Sequence, residues 1–189
     1  MRTFIAIELP GNIKASLVRW QEKLKTAQAD IKWVEKNNIH LTLKFLGEIN
    51  EDKIAEISVI LEKIAKISPS YQATISNLGG FPKIEYPRVI WAGLGKGDQE
   101  TKDIVKHIEN SLEEIGIPKE DRLFASHITL GRSRSEKNQK KLGELLGKLK
   151  AEFTNMESFE VRKITLFKSQ LSSKGPTYQA IREVSLKNT

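Results

Sequence analysis

The stretch His40-Leu41-Thr42-Leu43-Lys44-Phe45-Leu46-Gly47 opens with alternating polar and apolar residues, and His127-Ile128-Thr129-Leu130-Gly131 repeats the pattern in the second half of the chain. Because successive side chains on a strand point to opposite faces, His40 and Thr42 share one face while Leu41 and Leu43 anchor the other. The same division sets His127 and Thr129 against Ile128 and Leu130. With ten Thr among 189 residues, two His-x-Thr matches among three His are expected by chance in about one chain in a hundred. Each strand therefore presents an imidazole beside a hydroxyl, and each is followed by helical text. Ile54, Ile57, Leu61 and Ile64 form a stripe after the first motif, and Leu142, Leu145, Leu146 and Leu149 form a shorter one after the second.

Working outward, Thr3 to Leu9 reads as a strand ended by Pro10-Gly11, with a helix from Asn12 to about Lys25 and a short strand from Ile31 to Val34. Tyr71 to Leu78 and Arg88 to Leu94 read as strands around a Gly79-Gly80-Phe81-Pro82 turn, and Ile104, Ile108, Leu112 and Ile115 mark another helix. Phe159 to Phe167 and Tyr178 to Leu186 close the chain as strands separated by Ser172-Ser173-Lys174-Gly175-Pro176. Hairpin-like turns between several strands, with a few long helices, predict an α+β fold with mainly antiparallel sheet. Gly93-Leu94-Gly95-Lys96-Gly97 lacks the spacing of a nucleotide-binding loop and reads as a turn into a helix. No linker separates independent domains, so residues 1–189 are expected to form a single domain made of two similar lobes facing each other.

Composition narrows the chemistry. The chain has Lys+Arg 31 against Asp+Glu 24, a net charge of +7, and no Cys. That excludes disulfides, thiolate nucleophiles and Cys-based metal sites, and with three His no metal site is expected. No apolar run approaches the length of a membrane span or a secretory signal, so a cytoplasmic protein with no membrane partner is expected. The basic excess serves solubility or a phosphate-bearing partner. The tract from Gly131 to Lys174 concentrates it in Arg132, Arg134, Lys137, Lys140, Lys141, Lys148, Lys150, Arg162, Lys163, Lys168 and Lys174.

Two imidazoles titrating near pH 6.5 suit a reaction that donates one proton while accepting another. Phosphodiester hydrolysis has that requirement: water loses a proton on one side of phosphorus as the leaving oxygen gains one on the other. Thr42 and Thr129 can hydrogen-bond the non-bridging oxygens. A cyclic phosphate fits best, since its strained ring needs less help than an open diester. His107, on the polar side of its helix among Glu100, Asp103 and Glu114, reads as a surface residue.

The paired HLTL and HITL motifs resemble those of the 2H phosphoesterases. RTFIAIELP, IHLTLKFLGEI, GGFP followed by PRVIWAG, FASHITLGRS and LSSKGPTY are similar to the branch of RNA 2′,3′-cyclic phosphodiesterases, also called 2′-5′ RNA ligases. The resemblance implies a bilobal, pseudo-symmetric fold with both motifs facing a central cleft and helices outside. It implies hydrolysis of an RNA terminal 2′,3′-cyclic phosphate to a 2′-phosphate without metal or other cofactor, with His40 as proton donor and His127 as acceptor. The implied partner is RNA with a cyclic phosphate end, tRNA halves among them, and ligation through 2′-5′ bonds is the reverse reaction. A monomer is expected. Two alternatives keep the same motifs: a catalytically silent RNA-end-binding module, and a phosphodiesterase for small cyclic nucleotides or 2′-5′ oligonucleotides.

Arg132, Phe45 and Trp33 are the candidates for holding substrate. Arg132 could clamp phosphate bidentately, but three residues beyond Thr129 it faces away unless Gly131 introduces a bulge. Phe45, an odd number of residues from His40, faces the Leu41 side in a regular strand, which favours core packing over base stacking. Trp33 could stack on a base or pack in its short strand.

Overall fold

The structure is a computed structural model that describes residues 1–153, 157–173 and 175–189. Lys174, the last cation of the basic tract and part of the expected turn before Pro176, lies outside the described residues. The elements in chain order are β1 (Arg2–Glu8), α1 (Gly11–Lys25), β2 (Ile31–Trp33), a 3-10 turn (Lys36–Asn38), β3 (His40–Glu48), α2 (Glu51–Ile67), β4 (Tyr71–Ala73), β5 (Ile75–Phe81), β6 (Val89–Leu94), α3 (Asp98–Glu113), β7 (His127–Ser133), α4 (Gln139–Glu152), β8 (Phe159–Val161), β9 (Lys163–Ser172) and β10 (Gly175–Ser185).

Two four-stranded sheets carry the architecture, one in the order β10-β9-β1-β3 and the other β2-β7-β6-β5, with a small β4-β8 pair beside them. Every pairing between the named strands is antiparallel. The chain is thus α+β with mostly antiparallel sheets, and each large sheet contains one His-x-Thr strand. Helix ends follow ordinary rules. Asn50 caps α2 by accepting from the Lys53 amide at 2.9 Å, with Glu51 and Asp52 in the first turn where the helix dipole favours acids. Gly97 starts α3 at φ +84°, a left-handed conformation that a side chain would strain, so Gly95-Lys96-Gly97 is the turn into the helix, while Gly93 and Leu94 end β6.

The main core is built from Ile5 and Ile7 of β1, Leu41 and Leu43 of β3, Ile128 and Leu130 of β7, and the helical stripes Ile57-Leu61-Ile64 and Ile104-Ile108-Leu112. Full burial of such side chains stabilises by about 1.5–3 kcal/mol each before entropy is charged against it. A second, smaller cluster of Phe4, Ala6 and Phe167, with Tyr178 against it, lies on the opposite face of the first sheet. β1 is therefore buried on both sides, between helices and the cleft.

Three sequence readings are corrected. Tyr71 to Leu78 is two strands: β4 pairs with β8, whereas β5 pairs with β6, and the chain changes sheet at Thr74. Apolar alternation runs through the break without punctuation, so only tertiary pairing reveals it. Phe159 to Phe167 likewise divides at Arg162. Gly79 and Gly80 lie inside β5 and make no turn; the turn follows them, over 82–88. Those glycines answer a packing need, since a Cβ on Gly79 would enter the Trp91 ring and one on Gly80 would meet Pro87 at 2.6 Å.

Candidate active site

Both histidines are held in the same way. Nδ1 of His40 lies 2.7 Å from the carbonyl of Asn38, and Nδ1 of His127 lies 2.8 Å from that of Ala125, in each case two residues upstream. A carbonyl only accepts, so each Nδ1 carries the proton and each Nε2 is the atom left for chemistry. For His40, Nε2 stands 2.9 Å from Thr42 Oγ1, which donates to it while the ring is neutral. The His40 anchor is itself fixed: the Asn38 side-chain amide donates to the Pro176 carbonyl at 2.8 Å, tying the His40 support to β10.

Aromatic walls differ between the two. His40 stacks on Phe4 with ring centroids 4.9 Å apart and meets the edge of Tyr178 at 5.2 Å. His127 meets Phe81 edge-on at 5.4 Å, and Phe81 stacks on Trp91 at 5.1 Å. Burial lowers the His40 pKa from its ordinary 6.5, with the Asn38 carbonyl opposing the shift and the Lys14 charge adding to it. Burial also pushes the Tyr178 hydroxyl up, while the guanidinium charges of Arg132 and Arg2 pull it back.

A cleft of about 420 Å³ joins these groups. His40 and Thr42 enter it from the first sheet, and His127 and Thr129 from the second. Arg132 and Phe45 also line it, for one shared reason. In the pairing of β1 with β3, Ile5 stands opposite Lys44 and Ala6 opposite Thr42, so Leu43 is an extra, bulged residue. In the pairing of β6 with β7, Ile90 stands opposite Gly131 and Trp91 opposite Thr129, so Leu130 is bulged at the equivalent place. Each bulge puts two consecutive residues inward, Leu43-Lys44 and Leu130-Gly131, and turns the next one into the cleft.

What lies behind the bulges is specific to each. The Lys44 ammonium, 1% exposed, pairs with Glu109 on α3 at 2.7 Å and donates to the Pro118 carbonyl at 2.9 Å. Gln21 donates at 2.8 Å to the carbonyls of both Val34 and Leu130, which pins the bulged residue of β7. Gly131 leaves room for Ile31 and Trp33, where a Cβ would meet them at 2.6 and 3.0 Å.

Phe45 is therefore not packed in the core as strict alternation predicts; it is 58% exposed on the cleft. Trp33 lies outside the cleft lining and packs, half-buried, against the core and Gly131. His107 is exposed on α3. Arg2, Phe4, Asn38 and Tyr178 line the cleft without having been singled out. Their only sequence signal was position on a strand or turn, because the order β10-β9-β1-β3 brings Arg2, Phe4 and Tyr178 to the site and the 3-10 turn before β3 brings Asn38.

Among the described residues, no three His, Cys, Asp or Glu side chains gather in a way that could hold a metal ion. No helix among them is long and apolar enough to cross a membrane.

Two facing sheets, each offering one imidazole and one hydroxyl to a shared cleft, define the 2H phosphoesterase fold. The model of the LigT-like phosphoesterases matches residues 7–91 and 95–178, each stretch holding one motif, and the chain belongs to that family. The chain is 39% identical to an RNA 2′,3′-cyclic phosphodiesterase of Methanocaldococcus jannaschii over 97% of its own length and 99% of the relative's. Among solved structures it is similar to TT0787 of Thermus thermophilus, with TM-score 0.82, 26% identity and coverage of 100% and 99% of the two chains. It shares the fold of E. coli LigT in complex with 3′-AMP, with TM-score 0.77, 24% identity and 98% and 97% coverage.

Proposed function

We propose that the chain hydrolyses the 2′,3′-cyclic phosphate at an RNA end to a 2′-phosphate. The observation that carries the reading is the matched presentation of two Nε2 atoms, each with its Nδ1 proton committed to a carbonyl, from opposite sides of one cleft. The name of the M. jannaschii relative supports the RNA end as substrate.

In the proposed step, Nε2 of His127 takes a proton from water as the water oxygen bonds to phosphorus. The bond from phosphorus to the 3′ oxygen breaks, and Nε2 of His40 delivers a proton to that oxygen. The product is a 2′-monoester beside a free 3′-hydroxyl, and a return of the proton resets the pair. Thr42 and Thr129 hydrogen-bond the non-bridging oxygens, and Arg132 offsets their charge. The reaction needs no cofactor. With an RNA 5′-hydroxyl in place of water as the group deprotonated by His127, the same ring opening joins ends through a 2′-5′ link, against the mass action of water.

His40 must be cationic to act as donor, although burial favours its neutral form in the free protein. A bound phosphate anion beside the ring supplies the charge that stabilises the imidazolium. The lowered pKa favours a second reading in which His40 is the acceptor and His127 the donor. A substrate whose leaving group is a thiolate at the 3′ position separates them, because such a group departs without a proton. Rescue of His40→Ala by that substrate supports the donor role; rescue of His127→Ala supports the exchange.

The function itself is tested by incubating a cyclic-ended RNA with the protein and asking whether its terminal phosphate becomes removable by a monoesterase. Conversion that disappears in His40→Ala and His127→Ala is the expected result. No conversion by the wild-type chain would leave a silent end-binding module as the account of the site.

A further inference from the structure

A second hollow, of about 700 Å³, lies at the far end of β7 from His127. The 82–88 loop contributes Lys83, Tyr86 and Arg88, the residues after β7 contribute Arg134, and the first turn of α4 contributes Lys140. Glu136 is the one acid among the lining residues. Among the described residues none of these four cations makes an ion pair; the Lys83 ammonium instead stands over the Tyr86 ring at 5.5 Å. Other surface cations, such as Lys25 with Glu22, Lys102 with Asp98 and Lys163 with Glu183, do have acidic partners. Four unpaired positive charges around one concavity repel one another, a cost that a polyanion relieves.

The hollow is linked to the cleft along the chain. Arg132 ends the cleft lining, Ser133 lines the hollow and bonds through its amide to the Arg88 carbonyl at 2.9 Å, and Arg134 follows. Arg132 near the end of β7 and Arg134 just beyond it thus carry positive charge from the cleft to the hollow, with about 3.3 Å of rise per residue while the chain stays extended. Tyr86, 49% exposed, is the large aromatic side chain in this lining and offers a face on which a base can stack. The rest of the lining is polar or charged, which suits a phosphate backbone better than a lipid surface or an apolar protein segment.

We propose that this hollow is a second binding site for single-stranded RNA, holding the nucleotides on the 5′ side of the end that occupies the cleft. The proposal rests on the reading of the chain as acting on RNA ends, and deepens it: the cleft handles the terminal phosphate, and the hollow distinguishes a polymer from a mononucleotide.

The test uses the double variant Arg88→Gln/Arg134→Gln, whose residues touch neither imidazole. Two quantities are measured: turnover of a 2′,3′-cyclic mononucleotide, and affinity for a 2′-phosphate-ended RNA of about 12 nucleotides, long enough to reach beyond the cleft. The expected result is unchanged mononucleotide turnover, about tenfold weaker RNA binding, and a salt dependence of binding reduced by about 1.4 in its logarithmic slope, two contacts at about 0.7 each. Unchanged RNA affinity and slope would overturn the hollow while leaving the cleft chemistry standing. If the wild-type chain turned over no cyclic phosphate, the cleft reading would fail, yet the hollow would still be judged by its RNA affinity. Loss of binding to phosphatidylserine vesicles with RNA affinity intact would overturn it in favour of a membrane surface.

Discussion

Nε2 of His40 lies 2.9 Å from the hydroxyl of Thr42, two places along the same strand, and the described residues contain no matching bond from Nε2 of His127 to Thr129. The two halves of the site are alike in backbone and unlike in hydrogen bonding. His40 rests with its reactive nitrogen occupied, whereas among the described residues that of His127, in the same cleft lining, has no hydrogen-bond partner. On the proposed function, a substrate phosphate takes over the Thr42 hydroxyl from His40 as it binds.

His40→Ala and His127→Ala should each lower kcat by about 10²–10⁴-fold or more, the usual worth of a positioned acid or base. Thr42→Val and Thr129→Val should cost less, about 10²-fold at most, as hydroxyl donors to a charged oxygen. His107→Ala, exposed on α3, should leave kcat unchanged. Steady-state kinetics on one cyclic substrate, with folding checked by circular dichroism, orders the five variants.

The pH profile should separate free protein from complex. With His40 as donor, its deprotonation sets the alkaline limb. Burial lowers its pKa in the free protein, so the alkaline limb of kcat/KM should fall below that of kcat, where bound phosphate favours the cation. Stability carries the same sign. The unfolded His40 titrates near 6.5 and the folded one lower, so the unfolded chain binds the extra proton first on acidification. Stability present above pH 6.5 is lost as pH falls through the lower folded value. Urea unfolding of the wild type and His40→Asn from pH 7.5 to 5 should show a steeper decline in the wild type.

The two His-x-Thr strands and the helices were legible because period-two and period-3.6 patterns are local. The bulges were not. Whether Lys44 turns inward depends on Glu109, and whether Gly131 tolerates its place depends on Ile31 and Trp33, all distant in sequence. Strict alternation consequently sent Phe45 to the core and made Arg132 conditional on an unseen bulge. Arg2, Phe4 and Tyr178 were hidden for a related reason, since the sheet order that lays β1 and β10 beside the motif leaves no mark in any one segment.

The bulges can be tested through their supports. Lys44→Met leaves the Glu109 carboxylate partly buried without its cation and should cost about 3–5 kcal/mol, part of which Glu109→Leu in the same chain should restore. Chemical denaturation of the single and double variants measures the coupling.

Gly131→Ala should cost about 1–3 kcal/mol by crowding Ile31 and Trp33. If the bulge is what aims Arg132, the folded fraction of this variant should show a raised KM for a cyclic substrate, as should Arg132→Lys through loss of the guanidinium fork. An unchanged KM in both would remove Arg132 from the site.

The most direct measurement of the central claim is to incubate the protein, in excess EDTA, with a short RNA ending in a 2′,3′-cyclic phosphate and to identify the terminal group formed. Two imidazoles working without metal, one on water and one on the 3′ oxygen, predict a 2′-phosphate with a free 3′-hydroxyl. A 3′-phosphate, or an end left cyclic, would contradict it.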